Sequence, residues 1–518
     1  MPKPSKLRLV IILTILMLVG CQTMPEPQTL PEPDDMVSGR IVISSRPESS
    51  MPELSSSEKP SVNEKDLFEA SSSSEAPPAP SSSEAPPAPS SSEAPPAPSS
   101  SEVPPVPSSS EAPPAPSSSE APPAPSSSEA PSAASSSGAP PRQQTSVSAS
   151  NEVRAIWITY LELAPIMQGR SQSQFTASIA EMFDNCANYG INTIFAHVRP
   201  FGDALYQSDY FPWSYIATGV EGQNPGYDPL EIMLREAHSR GMKLEAWINP
   251  YRVRHDKKYP LSAGNQAKIW LDEGSANVAT NGTYIVYNPA SKQTRDLIVN
   301  GVREIVRNYN VDGIHIDDYF YPATLTEWDK TFDTSSYNAY KSAGGNLSHA
   351  DWRRANVATL IKAIYSAVKS ENPRVLFGIS PQSSVYNNYN AMYFDVQSAL
   401  ANTGYCDYIC PQIYFGFENG TQPYHETLVQ WDNMIRVPGV KLYPGLAVYK
   451  AGAADSWAGA GKAEWQQNNN IIARQVEDAR ACGNYGGFAL YRYDSLFKPD
   501  SSVKSHIARE AANLEDIL

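Results

Sequence analysis

The chain has 518 residues and a formal net charge of −15, and 41% of its residues are hydrophobic. The acidity is uneven: residues 22–150 hold 17 Asp and Glu against 5 Lys and Arg, which leaves residues 151–518 at −6. A mildly acidic domain without a Lys/Arg-rich block argues against nucleic acid as a partner. The length admits two or three domains, but almost nothing before Asn151 can form a core.

Residues 1–20 read as an export signal, with Lys3, Lys6 and Arg8 as its charged start and Leu9 to Val19 as its apolar core. That core is too short to span a bilayer, which takes about 20 apolar residues. It ends in Leu18-Val19-Gly20-Cys21, which resembles the bacterial lipobox. On that reading Cys21 is lipidated and holds the mature protein on the extracytoplasmic face of the cell membrane. An ordinary signal peptide with an incidental cysteine is the alternative.

Residues 21–150 form the expected linker. From Ser71 a nine-residue unit of the form Ser-Ser-Ser-Glu-Ala-Pro-Pro-Ala-Pro recurs, placing glutamates at positions 75, 84, 93, 102, 111, 120 and 129. Proline blocks helix and strand ladders, and serine and glutamate bring no apolar surface, so the segment is expected to be disordered. A solenoid is excluded because the repeat has no hydrophobic face to stack. Some seventy such residues reach on the order of 200 Å when extended.

From Asn151 short apolar runs alternate with amphipathic stretches. Eight strands are predicted, at Val153–Thr159, Asn192–Arg199, Lys243–Asn249, Gly313–Asp317, Val375–Ser380, Tyr408–Tyr414, Leu442–Tyr449 and Gly487–Tyr493. Helices are predicted between them at Phe175–Tyr189, Pro229–Arg240, Gln293–Tyr309, Asp351–Ser370 and Asn470–Ala481, and a last one at about Ser502–Asp516. Eight βα units in series over residues 151–518 make an α/β protein with a single (β/α)8 TIM barrel, expected to be monomeric. A doubly wound sheet is the runner-up, but no Gly-rich phosphate loop follows the first strand. Cys406 and Cys410, four residues apart on one strand, would lie about 13 Å apart, too far to bridge. With Cys186 and Cys482 they read as small buried hydrophobes, and neither they nor the seven histidines show zinc spacing, so no metal or cofactor is expected.

Barrel chemistry sits at the carboxyl ends of the strands, where side chains alternate between lumen and helix layer. Ile314 and Ile316 suit the helix side, which turns Gly313, His315 and Asp317 inward. By the same parity His197 and Arg199, then Glu245, Trp247 and Asn249, then Tyr408, Cys410, Gln412 and Tyr414 face the lumen. A purely structural barrel would fill those layers with branched apolar residues.

The segments Phe195-Ala-His-Val-Arg-Pro-Phe-Gly-Asp-Ala204, Ala246-Trp-Ile-Asn-Pro-Tyr-Arg252, Asp312-Gly-Ile-His-Ile-Asp-Asp-Tyr-Phe320 and Pro411-Gln-Ile-Tyr414 resemble the glycosyl-hydrolase-like family ten of bacterial envelope barrels. The likeness spans nearly all of residues 151–495. It implies a glycan polymer as substrate, and the family includes a divisome-associated lipoprotein that cleaves peptidoglycan strands stripped of their peptides.

Glycosidases need one carboxylic acid to protonate the leaving oxygen and commonly a second carboxylate. Asp317, inward at a strand end, is the candidate acid. Crowding by Asp318 and aromatic walls should raise its pKa. Strict alternation turns Asp318 away unless the strand bends there. Adjacent acids at this strand end also resemble hexosaminidases in which one carboxylate orients the substrate acetamide and the other protonates the leaving group. Glu245 is a third catalytic candidate, but it lies about 13 Å below Asn249, where pairing with His315 or an arginine is the alternative. Asp203 and Asp494 are further candidates for the second carboxylate.

For sugar binding the candidates are His197, Arg199, Asp203, Asn249, Tyr251 and Arg252, together with His315, Gln412 and Tyr414. Arg199, Arg252 and Arg254 suit a muramic-acid carboxylate, because guanidinium meets carboxylate in a fork. Trp213, Tyr319, Tyr321, Phe415 and Phe417 are candidates for a stacking floor. Three functions follow from this reading: an envelope glycosidase acting on peptidoglycan glycan, a non-catalytic glycan-binding barrel tethering membrane to wall, and a surface polysaccharide hydrolase.

Overall fold

The computed structural model describes residues 151–255, 257–322 and 326–518. The expected signal, Cys21 and the repeat linker lie outside the described residues. The first four βα units are β1 (Val153–Ile158) and α1 (Gln172–Asn188), β2 (Thr193–Arg199) and α2 (Pro229–His238), β3 (Lys243–Ile248) and α3 (Lys292–Asn308), and β4 (Gly313–Ile316) and α4 (His349–Glu371). The other four are β5 (Leu376–Ile379) and α5 (Val396–Ala401), β6 (Tyr408–Ile409) and α6 (Tyr424–Met434), β7 (Lys441–Leu442 and Gly445–Ala447) and α7 (Ile471–Ala479), and β8 (Gly487–Tyr491) and α8 (Lys504–Glu515).

Every neighbouring pair from β1 to β8 is parallel, and β8 pairs back onto β1. β7 is broken at Tyr443-Pro444, and proline has no N–H to give a ladder. Its first piece pairs with β6 and its second with β8. Single bridges Gln412↔Gly445 and Leu442↔Tyr485 tie each piece to the opposite neighbour and close the barrel. The predicted sixth strand, Tyr408–Tyr414, is a ladder only at Tyr408–Ile409. Pro381 and Pro411 explain this: beyond them the strands exchange isolated bonds, such as Gln412 N–H to the Pro381 carbonyl at 2.9 Å.

The helices start where local chemistry dictates. Ser171 and Gln174 form a reciprocal capping box on α1, and Asp228 caps α2 with Pro229 at its first turn. Helices α5 and α6 went unpredicted, and so did a small sheet. Between β3 and α3 a small antiparallel sheet forms from Arg252–Arg254, Val278–Asn281 and Tyr284–Tyr287. Its signal is Gly282-Thr283, a two-residue hairpin turn between Asn281 and Tyr284 with Gly282 at φ 62°.

Two separate hydrophobic cores follow from strand alternation. The larger lies between barrel and helices and contains Ile156, Ile194, Leu244, Ile314, Phe377, Ile409, Leu446 and Leu490. The smaller is the lumen itself, made of Ala155, Trp157, Phe195, Trp247, Tyr408, Cys410, Tyr443 and Ala489. Rings this large fit only because glycines face them. A Cβ on Gly378 would lie 1.8 Å from the Tyr408 ring, and one on Gly313 would lie 2.4 Å from Glu245 Oε2. The four described cysteines are free thiols; Cys186, Cys406 and Cys410 are buried, whereas Cys482 is half-buried. Gly378→Ala should therefore cost about 3 kcal/mol or more, because a backbone-fixed methyl cannot share the space of a ring wedged across the lumen. A thermal melt checks this, and an unchanged midpoint would mean that the Tyr408 ring is free to move.

Candidate active site

Asp317 follows β4 directly and is buried, and two side chains, one on β3 and one just after it, bind it. Trp247 Nε1–H donates to Oδ2 at 3.1 Å, and the Asn249 side-chain amide donates to both carboxylate oxygens. The Tyr319 backbone N–H adds a bond to Oδ1 at 3.3 Å. Burial, and then the charge of Asp318, push its pKa up to about 7, against the pull of Arg252 and Asn249 downward.

Asp318 turns to the opposite side of the mouth. Gln382 Nε2–H donates to its Oδ2 at 3.0 Å and Gln412 Nε2–H to its Oδ1 at 3.3 Å. The alternation that pointed Asp318 away from the lumen fails here. The ladder ends at Ile316, and Phe320 N–H bonds back to the Asp318 carbonyl at 3.0 Å, so the chain is already turning. Desolvation raises the Asp318 pKa, opposed by the two glutamine bonds. Two carboxyl groups with raised proton affinity thus stand side by side, each on its own set of amide donors.

Arg252 completes the mouth beside Asp317. Its guanidinium bonds the Pro200 carbonyl at 3.0 Å and Asn249 Oδ1 at 2.6 Å, and lies between the rings of Phe201 (4.7 Å) and Tyr319 (4.3 Å). Tyr414 packs on Tyr491 at 5.4 Å on the far wall. The structure therefore brings Asn249, Arg252, Gln412 and Tyr414 to the acidic pair, with Tyr319 from the proposed stacking floor.

The other candidates are placed elsewhere. Glu245 sits deep in the lumen and accepts from Tyr408 Oη at 2.6 Å. Burial raises its pKa to about 8. His315 lies in the same layer, between Trp157 Nε1–H at 3.1 Å and Tyr408 Oη at 2.8 Å. The indole can only donate, so His315 Nε2 accepts and its proton resides on Nδ1. Burial lowers the pKa of this imidazole to about 3, which keeps it neutral. A connected chain, Trp157 to His315 to Tyr408 to Glu245, therefore runs under the site, and the pairing expected between Glu245 and His315 passes through Tyr408.

Arg199 corrects the parity argument. A bulge between His197 and Arg199 sets Arg199 opposite Ile248, an outward residue, rather than in step with Trp247. Its guanidinium rests 4.5 Å over Phe211, outside the lumen. Asp203 is buried near it; burial and Glu221 raise its pKa to about 8, and it accepts from Tyr215 N–H at 3.2 Å. Tyr251 is buried in the outer core. Arg254 faces Glu221, and Asp494 lies beside Glu162 and Lys498. Tyr321 is buried against Phe332 and Tyr393, whereas Phe415 and Phe417 lie under Lys450 and Arg474. His197 is buried too, stacked on Trp247 at 3.6 Å. Among the described residues no group of three His, Cys, Asp or Glu side chains is arranged to hold a metal ion.

Two site residues were missed. Trp247 faces inward by parity but was not expected to bind the acid. Gln382 was not expected at all, although a signal was present: Pro381-Gln382 after β5 repeats as Pro411-Gln412 after β6, and the two glutamines bridge each other and share Asp318.

A closed (β/α)8 barrel with paired acids at the carboxyl ends of its strands is a glycoside-hydrolase type of architecture. The chain belongs to the family described as glycosyl hydrolase-like 10, whose model matches residues 152–460. It is 33% identical to glycosyl hydrolase DigH of Escherichia coli strain K12 over 397 residues, covering 69% of this chain and 86% of that protein. Glycosyl hydrolase YngK of Bacillus subtilis strain 168 is 35% identical over 325 residues, 59% of this chain and 62% of YngK. Among solved structures, the glycoside hydrolase domain of PgaB (BpsB) from Bordetella bronchiseptica is similar at 11% identity with a TM-score of 0.45, over 70% of this chain and 98% of that one.

The raised pKa of Asp317 has a measurable sign. Between about pH 4 and pH 7 the folded chain keeps a proton that the unfolded chain has released, so this group's contribution makes stability fall as pH rises. Asp317→Asn should remove that slope and stabilise the protein at pH 8 by on the order of 2–4 kcal/mol. Denaturant unfolding of both proteins from pH 4.5 to 8 measures the difference; parallel profiles would show Asp317 to titrate normally.

Proposed function

We propose that this chain is an envelope-anchored glycoside hydrolase that cleaves peptidoglycan glycan strands. The observation that carries the reading is the Asp317–Asp318 pair at the barrel mouth, with Asp317 holding its proton toward neutral pH. The names of the relatives, both glycosyl hydrolases, support the same class of reaction.

In this mechanism the pair shares one proton near neutrality. Asp317 delivers it to the glycosidic oxygen as the C–O bond breaks. Asp318, ionised and held by Gln382 and Gln412, faces the positive charge that develops at the sugar carbon; water gives its hydroxyl to that carbon and its other proton back to the carboxyl pair. Arg252, a fixed cation beside the pair, suits the carboxylate of a muramic acid residue. The repeat linker and a lipid on Cys21 would let the barrel work at a distance from the membrane while remaining tied to it.

The test is incubation of the purified protein with peptidoglycan, with and without prior amidase treatment. Soluble muro-sugars should appear, and Asp317→Asn should lower the rate by about 10²–10⁴-fold. Binding without cleavage would make the protein a tether instead, and cleavage confined to plant or mucin glycans would make it a surface polysaccharide hydrolase. In cells, Cys21→Ser should move the protein out of the membrane fraction; unchanged fractionation would remove the lipid from the account.

A further inference from the structure

Asn249 is held in a way that binding sugar does not require. Its Oδ1 meets Arg252 Nη2 at 2.6 Å and His197 Nε2 at 3.0 Å, while its Nδ2 meets both oxygens of Asp317. A guanidinium nitrogen can only donate, so the atom it touches is the amide oxygen, which fixes the orientation of the whole amide. An oxygen can only accept, so His197 carries its proton on Nε2. All four bonds are therefore consistent with one arrangement, in which the NH2 group faces the acid.

We propose that His197 and Arg252 form a positioning clamp on the Asn249 amide, which keeps its NH2 toward Asp317 and so sets how readily Asp317 gives up its proton. The inference deepens the reading of Asp317 as the proton donor and rests on it. The physical reason is a competition between two amide orientations. With NH2 toward Asp317 the amide favours the carboxylate, which can only accept. Flipped, it would turn Oδ1 toward the acid, which favours the protonated form and repels the ionised one. Arg252 alone would leave the amide one partner, and the second donor, His197, makes the flip cost two bonds.

His197 suits this role because it acts without charge. Burial first, and Arg252 second, lower its pKa well below the ordinary value, so it remains a neutral donor. Its ring is stacked 3.6 Å from Trp247, with the rings within 8° of parallel, and Tyr160 meets it edge-on at 5.7 Å. That packing fixes the direction of Nε2. The charged and titratable groups around Asp317 are Asp318 and Tyr319 beyond β4, Arg252 and Tyr284 from the small sheet, and Tyr491 from β8. Removing a neutral His197 changes none of these charges.

The experiment reads the protonation midpoint of Asp317 from the pH-dependent stability difference between each full-length variant and its Asp317→Asn counterpart. His197→Phe keeps the stacking on Trp247 but loses the N–H, and should raise the midpoint by about one pH unit, a tenfold change in proton affinity. Asn249→Ala should raise it at least as far, and adding His197→Phe to Asn249→Ala should change nothing more. His197→Gln places an amide N–H at nearly the position of Nε2 and should keep the wild-type midpoint. An unchanged midpoint in folded His197→Phe, an equal shift with and without Asn249, or a His197→Gln shift as large as that of Phe would each overturn the clamp. These midpoints need no substrate, so wild-type protein that fails to release sugars would count against the proposed function and not against this inference.

Discussion

Consecutive side chains on a strand point to opposite faces, so Asp317 and Asp318 can serve one cavity only where the strand stops. β4 stops at Ile316, one residue before the pair, and the chain then turns on the Phe320-to-Asp318 backbone bond. That single change of direction places two acids at the mouth. Their separate donor sets keep them apart: Trp247 and Asn249 from the β3 side hold Asp317, and Gln382 and Gln412 from the β5 and β6 side hold Asp318. Two carboxyl groups crowded on one set of donors would compete for the same hydrogens. Spread over two, they differ in environment, which is the condition for one to act as acid while the other is ionised.

Beneath the pair the lumen has to be filled, and this chain fills it with rings rather than branched aliphatics. Tyr408 reaches from β6 across to Glu245 on β3 because Gly378 and Gly313 give up their side chains between them. The acid at the bottom of the barrel is thereby hydrogen-bonded instead of stranded, and His315 is fixed as a neutral donor to the same phenol. The layer that carries Trp247 thus rests on a floor whose polar atoms are bonded to one another. A floor of this kind contributes to function by keeping the donors to Asp317 still.

Much of this was legible in the sequence. The eight strands follow from short apolar runs between amphipathic stretches, and the lumen residues of β2 to β4 and β6 follow from parity, which holds for Phe195, Trp247, His315 and Tyr408. Parity failed where the strand is irregular. The bulge in β2 sends Arg199 outward, and the end of β4 lets Asp318 in. Neither event has a strong local signal, because both depend on which neighbouring strand continues and which ends. The small sheet between β3 and α3 was missed since its strands are only three or four residues long. It matters for the site, because it supplies Arg252. The roles of His197 and Asn249 were out of reach for a different reason: sequence gives the residue types, but the direction of an amide is decided by which donors surround it.

The central claim is that Asp317 is the group that meets the glycosidic oxygen. The most direct measurement is a structure of the Asp317→Asn protein with a peptide-free peptidoglycan oligosaccharide bound. The account predicts a glycosidic oxygen within hydrogen-bonding distance of the residue 317 side chain, and a sugar ring beside Asp318. An oligosaccharide bound across the barrel mouth with its linkage next to a different acid, or with no linkage near residue 317, would contradict it.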